Sequence, residues 1–87
     1  MNRHQRLLNR ILDGRHLANI PFSDVRSLLI RIGFEERVRG SHHIYVRAGI
    51  DDTINLQPQG SDAIPYQLRQ IRAVLAKHDL RDASGGN

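Results

Sequence analysis

The spacing of apolar residues predicts two helices in the first part of the chain. A first amphipathic helix ends at Gly14, and its apolar residues recur at helical spacing: Leu7, Leu8, Ile11 and Leu12. Ser23 is a good N-cap for a second helix, whose buried stripe consists of Val25, Leu28, Leu29 and Ile32. We expect Gly33 to end this second helix before Phe34.

The pattern then changes to alternation, which predicts three short strands. In FEERVR, one face carries Phe34, Glu36 and Val38, and the other carries Glu35, Arg37 and Arg39. In HHIYVR, one face carries His42, Ile44 and Val46, and the other carries His43, Tyr45 and Arg47. In TINLQ, one face carries Ile54 and Leu56, and the other carries Thr53, Asn55 and Gln57. The turn signals GS and AGIDD separate the strands, so the sequence predicts an antiparallel meander.

A last helix completes the predicted fold. Pro65 suits its first turn, and its apolar stripe consists of Leu68, Ile71, Val74 and Leu75. Without the first helix the order is α-β-β-β-α, which is also that of double-stranded-RNA-binding domains. We therefore expect an α+β sandwich with an extra N-terminal helix, in which one sheet face stays open to solvent or a ligand. The predicted divisions are a helical extension at 1–19, a domain at 20–81 and a flexible tail at 82–87.

Composition adds a bias towards polyanionic partners. The net charge is +4, and the basic residues comprise twelve arginines and one lysine. Arginine forks match phosphate oxygens, so nucleic acid is the first candidate partner, although a bias towards arginine codons explains the same composition. The chain has no cysteine, which excludes disulfides and thiolate sites and fits a cytoplasmic location. No apolar run is long enough to span a membrane, so we expect no membrane partner.

Several motifs together give the chain a family resemblance. The glycine-capped helix, the arginine-bearing strand, RGSHHIY, TINLQ and the last helix beginning PYQLRQIR resemble the HicA family of toxins. The resemblance runs from about Ile20 to Leu80. It implies a fold like that of double-stranded-RNA-binding domains, metal-independent cleavage of mRNA without a cofactor, and neutralisation by a HicB-type antitoxin. The family's functional histidine directly follows Gly-Ser, and in this chain that residue is His42; Tyr45 also matches the pattern.

The third strand departs from the family pattern. Many members carry Thr-x-Pro-x-His there, whereas this chain has TINLQ from Thr53 to Gln57. Gln57 thus replaces the second family histidine, which argues against a two-histidine mechanism.

The adjacent histidines have different expected roles because neighbouring strand residues point to opposite faces. His42 and His43 cannot easily chelate one ion, and Asp51 and Asp52 are distant acids, so we expect no metal site. Imidazole titrates near neutrality, so His42 is the candidate general acid or base. The alternative role for His42 is a hydrogen bond that merely ends the turn. Tyr45 is expected to be a packing residue.

The expected RNA contacts surround His42 along the chain. They are Arg37, Arg39, Ser41, His43 and Arg47. Arginines near the scissile phosphate would stabilise its developing negative charge. Arg69 and Arg72 are most simply a solvated helix face. The function that we expect is an endoribonuclease toxin that cleaves mRNA; the alternatives are a non-catalytic RNA-binding module of the same fold and a basic protein-interaction subunit.

Overall fold

The computed structural model describes residues 2–83 and confirms the predicted α+β class. The elements are α1 (Arg3–Asp13), α2 (Phe22–Arg31), β1 (Glu35–Arg39), β2 (His42–Val46), β3 (Ile54–Leu56) and α3 (Pro65–Lys77). The strands form one antiparallel sheet in the order β1-β2-β3. No helix among these residues is both long and apolar enough to cross a membrane.

The helices cover one face of the sheet. Tyr45, Ile54 and Leu56 lie on that face and are buried, whereas Ile44 and Asn55 point to the opposite face and are partly or fully exposed. The alternation along β2 and β3 therefore separates a core face from an open face, as the sequence pattern predicts.

Helix α1 belongs to the same core as the rest of the fold. It begins at the N-cap Asn2, whose side chain accepts from Gln5 N, and ends at Gly14 in the left-handed region. Leu8 and Ile11 have no exposed surface. The predicted helical extension is thus a structural layer that helps to bury α2 and α3.

Helix α2 begins two residues earlier than the sequence predicts. Ser23 lies inside the helix, and the N-cap is Pro21, which has no capping side chain. Phe22 is buried in the core, and its backbone N–H donates to Ser61 O at 2.9 Å. Burial of Phe22 and this bond fix the helix start, so the prediction of Ser23 as the N-cap was wrong.

The end of the described chain is attached to α1 and α2. Ala83 is buried, its backbone N–H donates to Gln5 Oε1 at 2.8 Å, and its carbonyl accepts from Arg31 Nε at 2.5 Å. Most of the predicted tail, 82–87, lies outside the described residues, and the proposed division into 1–19, 20–81 and 82–87 stays a prediction.

Candidate active site

The site begins at the turn between β1 and β2. Arg39 pairs with His42, so Gly40 and Ser41 form a two-residue hairpin loop. Gly40 has a φ of 59°, as the first central residue of a type II′ turn requires, and glycine adopts this conformation without steric cost. This turn matches the right-handed twist of the strands and places His42 at the start of the central strand.

The strand register arranges the open face in rows. Arg39 lies opposite His42 on β1, and continuing the pairing of His43 with Leu56 by one residue puts Gln57 opposite His42 on the other side. The next row contains Arg37, Ile44 and Asn55. Side chains directly opposite each other in such rows have Cβ atoms about 5 Å apart. The open face therefore brings His42 together with Arg39 and with the polar side chains of β3.

Two amide side chains contact the ring of His42. His42 Nδ1 lies 3.2 Å from Asn55 Oδ1, and His42 Nε2 lies 3.3 Å from Gln57 Nε2. Gln57 Nε2 also donates to Ser41 Oγ at 2.9 Å. The Gln57 backbone N–H donates to Gln67 Oε1 in α3 at 3.1 Å. An exposed imidazole is thus held in one orientation by the turn, by β3 and, through Gln57, by α3.

His43 occupies the other face of the sheet. Its ring packs edge-on against Phe22 with centroids 4.8 Å apart, and its Nδ1 lies 3.3 Å from Glu36 Oε2. Only 17% of its side chain is exposed. His43 is separated from His42 by the sheet, and its predicted contact with RNA stays a prediction.

Glu36 is the centre of a polar network beneath the sheet. Arg26 donates to both of its carboxylate oxygens at 2.7 Å, and Tyr45 donates its hydroxyl at 2.6 Å. The hydrogen bonds from Arg26 are the main reason that the pKa of Glu36 falls to about 2. Burial raises the pKa of Tyr45 further above its usual value. Tyr45 is therefore a packing residue, as predicted, whose hydroxyl is satisfied by an ionised carboxylate.

The arginines divide into two groups. Most bond to the protein itself: Arg26 binds Glu36, Arg31 binds Ala83 O, and Arg72 donates to Leu12 O at the end of α1. Among residues 2–83, the arginines without a hydrogen bond or ion pair are Arg37, Arg39, Arg47 and Arg69.

The predicted RNA-contact arginines are not all close to His42. Arg37 and Arg39 lie on its face of the sheet. Arg47 follows the far end of β2, about 16 Å along the chain from His42 at the rise of an extended strand. Its Nε lies 3.0 Å from the position that a Cβ on Gly33 would occupy, at the end of α2. The structure therefore groups Arg37 and Arg39 with Ser41 and His42, and places Arg47 apart from them.

Asn55 and Gln57, which both contact the ring of His42, were not among the predicted site residues. The alternation in TINLQ does place Asn55 and Gln57 on one side of β3, but it does not give their register against β2. Register was the missing information, because it decides which side chains lie beside His42.

Metal-binding side chains do not cluster in the described part of the chain, where no group of three His, Cys, Asp or Glu residues could hold one ion. The pair of His78 Nε2 and Asp52 Oδ2, 2.7 Å apart, instead joins the end of α3 to the loop before β3.

Comparison with protein families matches residues 22–83 to the HicA toxin of bacterial toxin–antitoxin systems. The match begins at the start of α2 and includes every strand, the Gly-Ser-His turn and α3. Comparisons with curated proteins and with solved structures found no match. Toxins of this family are generally nucleases and have a cognate antitoxin. The chain belongs to the HicA toxin family.

Proposed function

We propose that this toxin is an endoribonuclease that cleaves mRNA in the cytoplasm, with His42 as its catalytic residue. The observation that carries the proposal is the position of His42: an exposed imidazole, oriented by two amides, on the sheet face that also carries Arg37 and Arg39. The other histidine of the pair packs under the sheet and offers no comparable arrangement.

The proposed chemistry is transfer of the phosphodiester to the neighbouring 2′-oxygen. His42 removes the proton of the 2′-hydroxyl, the 2′-oxygen attacks phosphorus, and the P–O5′ bond breaks. The products are a 2′,3′-cyclic phosphate and a 5′-hydroxyl whose proton comes from solvent. This attack needs a ribose that can rotate into line with the leaving oxygen, which favours a single-stranded substrate.

Arg37 and Arg39 are the proposed phosphate ligands. Neither side chain is bonded to another described residue, so neither must give up an ion pair to meet RNA. Arg39 lies directly across from His42, where its charge would stabilise the negative charge that develops on the phosphate oxygens. Ser41, in the turn, is the proposed polar contact beside them.

The proposed partner is a HicB-type antitoxin that covers the open face. A partner that covers the open face would deny RNA access to His42, and the same arginines that attract phosphate would attract acidic side chains of the partner. Catalysis and neutralisation would then use one surface.

The test is induction of the wild type beside His42→Ala, with growth and mRNA integrity as readouts. We expect His42→Ala to relieve growth arrest and to lower the cleavage rate of the purified protein by about 10²- to 10⁴-fold. His16→Asn is the matched control, since it removes an exposed histidine outside the sheet, at a positive φ that asparagine tolerates. Cleavage should persist in excess EDTA and leave cyclic phosphate ends.

Two outcomes would contradict the proposal. Cleavage by His42→Ala at the wild-type rate would remove His42 from the chemistry. RNA binding by the wild type without any cleavage would instead identify a non-catalytic module.

A further inference from the structure

The ring of His42 has a different kind of partner on each nitrogen. Asn55 presents a carbonyl oxygen to Nδ1, and a carbonyl oxygen can only accept a hydrogen bond. Gln57 presents its NH₂ group to Nε2, and an amide nitrogen can only donate. Both contacts are satisfied together only if Nδ1 carries the proton and Nε2 carries the lone pair.

We infer that Asn55 and Gln57 form an amide clamp that holds His42 in the neutral Nδ1–H tautomer and so selects Nε2 as the base. The inference rests on the proposed function and deepens it, because it assigns the proton transfer to one atom. Asn55 and Gln57 are positioning residues in this scheme, since they act on the RNA through His42.

The clamp is itself held in place. One N–H of Gln57 donates to Ser41 Oγ at 2.9 Å while the other faces His42 Nε2. The Gln57 backbone is bonded to Gln67 of α3 at 3.1 Å. A rotation of the Gln57 amide would therefore have to change its contacts with both Ser41 and His42.

The clamp is compatible with the full proton transfer. The 2′-hydroxyl displaces the Gln57 N–H and donates to Nε2, which then takes its proton as the 2′-oxygen attacks phosphorus and the P–O5′ bond breaks. Nδ1–H remains bonded to Asn55 Oδ1 throughout, so the imidazolium that forms keeps its orientation and its hydrogen bond. The proton that the leaving 5′-oxygen takes up comes from solvent.

The tautomer is directly measurable in the RNA-free protein. Nitrogen-15 NMR of the imidazole separates a protonated ring nitrogen from one that carries a lone pair, and His42→Ala identifies the His42 signals. We expect the neutral imidazole of His42 to carry its lone pair on Nε2. A lone pair on Nδ1 would require both amides to be rotated and would overturn the inference without any activity measurement.

A matched pair of substitutions tests the consequence for catalysis. Asn55→Asp still offers an acceptor to Nδ1–H and so leaves the lone pair on Nε2; we expect its single-turnover cleavage at saturating RNA to be at least about 10-fold faster than that of Gln57→Glu. Gln57→Glu replaces the donor by an acceptor, which requires a proton on Nε2 and removes the lone pair. We expect Gln57→Glu to lose about 10²-fold or more in that rate, with the NMR signal of Nε2 changed to its protonated position.

The two variants are matched in what they do otherwise. Each adds one negative charge to the open face without a change in side-chain size, so both should weaken RNA binding to a similar degree. A merely structural role for the two amides predicts equal rates at saturation, and equal rates would refute the clamp. Gln57→Leu provides a second test at this position, since it removes the donor without adding a charge. In this variant, the imidazole of His42 should exchange between its two neutral tautomers.

Failure of the clamp is distinguishable from failure of the proposed function. If His42→Ala is inactive while Gln57→Glu cuts as fast as Asn55→Asp, His42 is catalytic and the clamp is wrong. If His42→Ala cuts normally, the catalytic assignment itself is wrong.

Discussion

The two adjacent histidines differ because the sheet separates them. His42 lies on the open face and His43 packs on Phe22 beneath the sheet. We expect His43→Ala to lower the free energy of unfolding by about 1 to 2 kcal/mol, because an aromatic contact and a bond to Glu36 are lost. The single-turnover cleavage rate of the folded variant should change by less than about 5-fold. Thermal melts and cleavage assays on His43→Ala and His42→Ala measure both effects.

The opposite result would support a contact between His43 and RNA. A His43→Ala variant that melts like the wild type but binds RNA more weakly would confirm the RNA contact predicted from the sequence. It would also show that the packing on Phe22 contributes little.

Alternation placed the two histidines on opposite faces but did not decide which face is the open one. Both faces of β2 mix polar and apolar residues, since His43 and Tyr45 share one and His42 and Ile44 share the other. Tyr45 can lie on the buried face because its hydroxyl donates a hydrogen bond to Glu36, and this cross-strand partner follows from register rather than from composition. The distance of Arg47 from His42 likewise depends on where β2 ends and on its packing against Gly33.

At the scale of elements, Glu36 joins α2 to the first two strands. Its folded pKa of about 2 lies below the value near 4.3 of an unfolded glutamate. The stability that ionised Glu36 contributes to the fold is therefore complete above pH 5 and is lost as the pH falls towards 2. We expect Glu36→Gln to be less stable than the wild type by about 2 kcal/mol at pH 6, and this difference to shrink progressively between pH 5 and pH 2.

Chemical denaturation across that pH range provides the measurement. Glu35→Gln is the matched control, because it removes the same charge from the exposed neighbouring residue of β1. A difference between wild type and Glu36→Gln that stays constant from pH 6 to pH 2 would show that the ion pair with Arg26 contributes no net stability.

Helix α1 lies before the family match, yet it supplies part of the core. Leu8 has no exposed surface and packs in the same cluster as α2 and α3. We expect Leu8→Ala to destabilise the whole domain by about 2 to 5 kcal/mol in one cooperative transition. Leu12→Ala, at a partly buried position of the same helix, should cost clearly less. Separate melting of α1, with the remaining domain unaffected, would support an independent extension.

The helices followed from periodicity because each has an apolar stripe of its own, whereas the first two strands followed from alternation and from the turn signals that bound them. The start of α2 did not, since a good N-cap residue at Ser23 lost to the burial of Phe22 one residue earlier. Local propensity is worth about 1 kcal/mol at a cap, and burying a phenylalanine side chain is worth more.

At the scale of the whole molecule, the net charge is +4. Some of the arginines are bonded to the protein itself, whereas Arg37, Arg39, Arg47 and Arg69 have no hydrogen bond or ion pair among the described residues. Affinity for single-stranded RNA should fall with log salt at a slope of about 0.7 per phosphate contacted. We expect Arg39→Gln to flatten this slope by about 0.7 and Arg39→Lys to change it less, because the charge remains. Arg47→Gln is the comparison, since its position beyond the far end of β2 predicts a smaller change. Salt titrations of RNA binding for the three variants give the slopes, and a larger effect of Arg47→Gln would place the RNA track along the whole of β2.

The same variant tests whether RNA and the antitoxin share the open face. Because Arg39 lies across the strand pair from His42, an antitoxin that shields His42 would also cover Arg39 and lose an ionic contact in Arg39→Gln. We expect Arg39→Gln to bind the antitoxin about 10-fold more weakly. Arg69 is an exposed arginine on α3 without a hydrogen bond or ion pair, and Arg69→Gln should bind the antitoxin like the wild type. The overlap is measured directly by competition between labelled RNA and the antitoxin for binding to His42→Ala, which should bind RNA without cleaving it. A ternary complex in which RNA stays bound would show that neutralisation acts at another surface, while the assignment of His42 would still stand.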